Sequence, residues 1–116
     1  MESFDIIGLV FEILSPLKVD VIEGWYDKDL NKTHITVHEY LEQDENFIDD
    51  ENTEVEHNIQ IDVWSTDSIE SENLKNKIKK LLKSNDFLYD QGESFYETDT
   101  KIYHKGMRFN YTEELE

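Results

Sequence analysis

The sequence predicts a single α+β domain in the order α-β-β-β-α-β-β, with an antiparallel or mixed sheet and its helices on one face. Three observations lead there. Period-two alternation of β-branched and aromatic residues recurs in five segments, two others carry helical spacing, and 116 residues support one core and no second one. The expected radius at that length is about 13 Å. Leu, Ile, Val and Phe number 33, clear of the ~20% floor below which a charged chain fails to offset its ordering entropy.

The first helix spans Ser3 to Ser15, where Phe4, Ile6, Ile7, Leu9, Val10, Phe11, Ile13 and Leu14 leave a narrow polar stripe of Asp5 and Glu12. Ser3 is the expected N-cap. Pro16 marks the stop, because a proline pushes the residue before it out of helical geometry. A helix this apolar needs cover on nearly all sides, from its own domain or from a neighbouring subunit.

Three strands follow. Lys18 to Tyr26 places Val19 and Val21 on one face and closes near Gly24. Thr33 to Leu41 sets Ile35, Val37 and Leu41 against His34, Thr36, His38 and Tyr40. Val55 to Trp64 alternates most clearly, with Val55, His57, Ile59, Ile61 and Val63 inward and Glu56, Asn58, Gln60 and Asp62 outward.

Asp67 and Glu70 form a capping pair for a second helix that runs to about Ser84. Leu74, Ile78, Leu81 and Leu82 make its buried stripe, and Lys75, Lys77, Lys79, Lys80 and Lys83 lie outside it. Acids at the start and lysines at the end suit the helix dipole. The lysines read either as a solvated face or as salt-bridge partners for another subunit. Phe87 to Tyr111 reads as two strands reversing near Asp99–Thr100, with Gly106 marking a bulge or a close backbone approach. The acidic tail 112–116 is expected to add little structure.

Charge narrows the function. With 28 acidic residues against 11 basic ones, the formal charge is −17, and Arg108 is the sole arginine. Direct nucleic-acid binding is disfavoured, since such binders place Lys and Arg on phosphates; an anionic membrane surface repels the chain for the same reason. Nine acids and no base lie between Glu39 and Glu56. The segment 43–53, holding Asp44, Glu45, Asp49, Asp50 and Glu51, is therefore expected to be a mobile hairpin loop between two strands. Phe47 and Ile48 stand alone within it, either docking on a partner or folding back on the sheet.

Motifs for chemistry are missing. There is no cysteine, and His34 and His38 stand roughly 13 Å apart along one strand, too far for one zinc ion. The acidic run lacks the glycine of a calcium loop, and four scattered glycines make neither a P-loop nor a dinucleotide fingerprint. Acid-base catalysis needs a carboxyl shifted by burial, and most carboxylates here sit in hydrophilic runs. No enzyme, no cofactor and no metal site is expected. The Met1 end reads as no leader, and no apolar run approaches the ~20 residues of a membrane span, so the expected address is cytoplasmic.

The run Asn58-Ile59-Gln60-Ile61-Asp62-Val63-Trp64-Ser65, the lysine-rich helix, Phe87, and the ending Tyr103-His104-Lys105-Gly106-Met107-Arg108-Phe109-Asn110-Tyr111 together resemble the small tail-terminator or tail-completion proteins of long-tailed phages and prophages. The resemblance covers about residues 55–111. It implies a virion subunit forming a ring, usually sixfold, that caps the tail tube and joins it to the head. The implied partners are other copies, tail-tube proteins and head-completion proteins, in the host cytoplasm during assembly and then in the virion tail. The interaction candidates are Phe47, Ile48, Asp44, Glu45, Asp49, Asp50 and Glu51, with Lys75, Lys79 and Lys83 as their counter-charges. The rival reading is an acidic DNA mimic or inhibitor that occupies the groove of a DNA-processing enzyme. A plain immunity or adaptor protein is the third.

Overall fold

The structure is a computed structural model, which describes residues 4–25 and 32–115. Helix α1 (Ile6–Leu14) precedes a short 3-10 turn (Ser15–Leu17) and strands β1 (Asp20–Glu23), β2 (His34–Ile48) and β3 (Glu51–Ser65). Helix α2 (Ser68–Lys83), β4 (Leu88–Glu97) and β5 (Ile102–Glu114) follow. The expected element order is therefore found. One mixed five-stranded sheet has the order β1-β2-β3-β5-β4, with β1 parallel to β2 and every other pairing antiparallel.

Asp5, not Ser3, caps α1: its Oδ1 accepts the Gly8 N–H at 2.9 Å, and Ser3 lies outside the described residues. Contrary to expectation, Ser15 is not pushed out of helical geometry by Pro16 but keeps helical angles (φ −54°, ψ −34°); the helix tightens into the 3-10 turn, which closes on Lys18 in the left-handed region. Asp67 caps α2 by accepting from the N–H groups of Ile69 and Glu70. Glu70 does not return to the Asp67 N–H, as a capping box requires; that N–H donates to Ser65 Oγ. The Glu70 carboxylate instead bonds the hydroxyls of Ser65 and Thr33, which clamps the helix start to the ends of β2 and β3.

Both helices pack on one sheet face. Ile6, Val10, Ile13 and Leu14 of α1 and Leu74, Ile78 and Leu82 of α2 meet Ile35, Val37, Ile59, Ile61, Val63, Met107 and Phe109 in one core. Burying side chains of this kind contributes roughly 1.5–3 kcal/mol each before ordering costs.

Four expectations need correction. The expected hairpin between two strands is found, but its loop is not 43–53: β2 and β3 remain paired out to Ile48↔Glu51, and Asp49 and Asp50 make the reversal. Both turn residues have positive φ (53° and 67°), the backbone of a two-residue hairpin turn whose twist matches its strands. Residues 112–115 of the tail also take up structure, since Glu54↔Glu114 through Glu56↔Thr112 add β5 to this hairpin and the Leu115 N–H donates to Thr53 O. Leu41 leaves the face of Ile35 and Val37, because a bulge between Glu39 and Leu41 inserts Tyr40 and shifts the alternation. Finally, the first strand is shorter than Lys18 to Tyr26, and Tyr26 lies outside the described residues.

The long hairpin changes the shape. The molecule measures 54 × 25 × 24 Å with a radius of gyration of 15.5 Å, above the radius expected for a round chain of this length.

Candidate interaction surface

The arm formed by the distal parts of β2 and β3 gathers most of the sequence-predicted interaction residues. From Leu41 to Ile48 eight residues extend about 27 Å at strand rise, and Asp44, Asp49, Asp50 and Glu51 are exposed, with Glu45 half-buried. Pairing sets Glu45 opposite Glu54 and Glu54 opposite Glu114, so three glutamates stand in one row across three strands. Like charges placed directly opposite repel. The row is tolerated because Asn46 donates to the Glu54 carboxylate and water surrounds the rest.

Phe47 and Ile48 sit beside the turn, 61% and 64% exposed. They do not fold back on the sheet: their strand leads them beyond the helices, and Phe47 pairs with Asn52 and Ile48 with Glu51. An apolar pair is thus presented at the end of a charged lever.

The lysine candidates lie on α2. Lys75 pairs with Glu72 at 3.2 Å, and Glu72 also takes Lys105 at 3.2 Å, linking α2 to β5. Those two ammonium groups hold the Glu72 carboxyl below its ordinary range. Lys79 Nζ lies 4.1 Å from the centre of the Tyr89 ring, a cation–π contact, and Lys83 is exposed. Among the described residues no lysine of α2 forms an ion pair with the arm of the same chain. Helix α1 buries four residues and leaves Phe11 37% exposed, so its own domain covers only part of it; Phe4, ahead of the helix, is exposed to the same extent.

The sheet face away from the helices is not the plain solvated surface that alternation predicts. Asp62 and Thr36 are fully buried there, Asn58 and Trp64 nearly so. Asp62 Oδ1 lies 2.6 Å from His104 Nε2 and accepts from Gln60 Nε2 at 3.1 Å, and Trp64 Nε1 donates to Thr36 Oγ1 at 3.0 Å. The Trp64 and His104 rings stack at 3.8 Å. The close-approach alternative for Gly106 is the one found: a Cβ there would sit 3.0 Å from Asp62 Oδ1. His34 and His38 remain on this face, near Trp64 and Trp25 respectively. Burial holds His38 below the ordinary imidazole range, with Arg108 adding to it and Asp62 opposing.

At the root of the arm, on the helix side, His57 is 3% exposed between Glu39 at 2.6 Å and Glu113 at 2.9 Å. Burial disfavours its charged form, yet the bonds to Glu113 and Glu39 outweigh this and raise its pKa. Glu39, Glu42 and His57 bring one ligand atom each within 4.8 Å of one another. Spacing along the chain did not reveal this cluster, because it depends on hairpin register and on the Tyr40 bulge.

No family model matches the chain, and no curated protein matches it. Among solved structures, its fold is similar to that of a chain in the virion of a native gene transfer agent particle. The TM-score is 0.68 at 10% identity, over 93% of this chain and 91% of that one. At such identity the likeness is one of fold, and it spans nearly the whole of both chains. No helix among the described residues is long and apolar enough to cross a membrane.

Proposed function

We propose that this chain is a structural subunit of a phage-type virion, of the tail-terminator or tail-completion kind. In this reading copies of it form a ring, sixfold in the family it resembles, that caps the tail tube and joins it to the head. The observation that carries the reading is the near-complete fold likeness to a virion chain. The arm supports it: a projecting ribbon with an apolar tip is suited to crossing onto a neighbour, whereas a self-contained domain has no use for one. The half-covered α1 supplies an apolar seat of the kind a neighbour fills. No catalysis or cofactor belongs to the role, and its place is the host cytoplasm during assembly and the virion tail afterwards.

Charge bears on how such a ring closes. Subunits of −17 each repel one another, so contacts must interlock locally, and the arm's carboxylates facing α2 lysines of the next copy provide that. The net negative lumen lets DNA pass without sticking. Lys83→Glu removes an exposed cation that has no ion pair among the described residues, and it is expected to weaken co-sedimentation with purified tail tubes. Unchanged co-sedimentation of Lys83→Glu, and of the triple reversal of Lys75, Lys79 and Lys83, contradicts the lysine pairing.

One observation favours the rival DNA-mimic reading. The carboxylates of the arm are held at strand spacing, with the row Glu45, Glu54 and Glu114 as a repeating anionic edge, which is what an imitation of a phosphate backbone requires. Capture of a basic DNA-processing enzyme without any association with tail tubes favours that reading.

A further inference from the structure

Three carboxylates converge on one buried imidazole where the arm joins the body. His57 Nδ1 lies 2.6 Å from Glu39 Oε2 and 3.9 Å from Glu42 Oε1, and Nε2 lies 2.9 Å from Glu113 Oε1. The Phe4 ring covers the imidazole at 5.2 Å. A neutral imidazole carries one N–H, so it satisfies only one of its two anionic sides and turns a lone pair toward the other. A cation is needed on the Nδ1 side, and a second proton is only one way to supply it.

We propose that His57 Nδ1, Glu39 and Glu42 form a binding site for a first-row divalent transition ion of the Zn²⁺ type, with Glu113 holding the ring from behind. Four-coordinate zinc with bonds of about 2.0–2.1 Å wants donors about 3.4 Å apart. The 2.6 and 3.9 Å separations bracket that value. The Glu42 side chain is 61% exposed and that of Glu39 is 27% exposed, so both have freedom to adjust. Two carboxylates and one imidazole leave a fourth position for water. The nitrogen donor selects against Ca²⁺ and Mg²⁺, which take oxygen.

Two further features fit this use. A metal-bound histidine commonly donates its other N–H to a carboxylate, which fixes ring and tautomer, and Glu113 stands at that place. In a regular strand, residues three apart face opposite ways. The bulge after Glu39 puts Glu39 and Glu42 on the same side as His57. An ion there ties β2 to β3, with β5 behind it, and sets the direction of the arm. The site does not depend on the proposed virion role.

The test titrates the chelator-stripped full chain with ZnCl₂, followed by calorimetry and by ¹⁵N spectra of the histidine rings. The expected result is one Zn²⁺ per chain, with the His57 Nδ1 resonance moving and the Nε2–H retained. Glu42→Gln, an exposed change that leaves the fold intact, is expected to weaken binding at least about tenfold, and Glu113→Gln by about 10–100-fold. Glu56→Gln, on the opposite sheet face, is expected to have no effect. An unmoved Nδ1 resonance at saturating zinc overturns the site. Equal weakening by Glu42→Gln and Glu56→Gln does the same, because it places the ions diffusely along the arm.

Discussion

Asp62 Oδ1 and His104 Nε2 lie 2.6 Å apart, tying the middle of β3 to β5 on the sheet face that no helix covers. The carboxylate side chain is 1% exposed, and the Trp64 ring stacks on the imidazole. Asp62→Ala leaves His104 without its acceptor beneath Trp64. It is expected to destabilise the fold by about 3 kcal/mol, read as a lower urea midpoint at constant slope. A loss under about 1 kcal/mol would show the pair to be incidental.

Gly106 faces Asp62 across the strand pair. A methyl group at Gly106 would press on an oxygen already held by His104 and Gln60, so those contacts must give for it to fit. Gly106→Ala is expected to cost about 1–2 kcal/mol by overpacking, with the His104 ring resonances displaced. Unshifted His104 resonances contradict this account of the glycine.

Glu72 makes one pH dependence predictable. Lys105 and Lys75 hold its folded pKa below the ordinary 4.5, so its stabilisation is present above that value and is lost as pH falls through the lowered one. Its side chain is 46% exposed, so salt screens the pair and the contribution stays under about 1 kcal/mol. The stability gap between wild type and Glu72→Gln is expected at neutral pH and low salt. It should close both in acid and in molar NaCl, and a gap that widens in acid contradicts the assignment.

Phe47 and Ile48 touch little in their own chain. Replacing both by serine is expected to change unfolding free energy by less than about 0.5 kcal/mol while weakening association with tail tubes at least about tenfold. A stability loss of several kcal/mol would instead mean that the pair belongs to an intramolecular core.

Much of this architecture was legible because it rests on local rules. Asp67 before a periodic stripe of Leu74, Ile78 and Leu82 announces α2, and Val55 to Trp64 announces the central strand. The arm escaped because repulsion among its carboxylates argues for a loop, while Asp49 and Asp50 in the left-handed region and β5 alongside supply the pairing. Leu41 was misplaced because a bulge costs one residue of register and leaves no mark in composition. Asp62 reads as an outward residue by parity, and only the packing of Trp64 and His104 around it shows that it is buried. The His57 cluster joins residues 39, 57 and 113, which no spacing pattern along one chain connects.

The most direct measurement is electron microscopy of the purified chain mixed with tail tubes. Rings of copies seated at one end of the tube, with the arm reaching the neighbouring copy, are the predicted result. Bare tube ends beside unassembled protein would contradict the account.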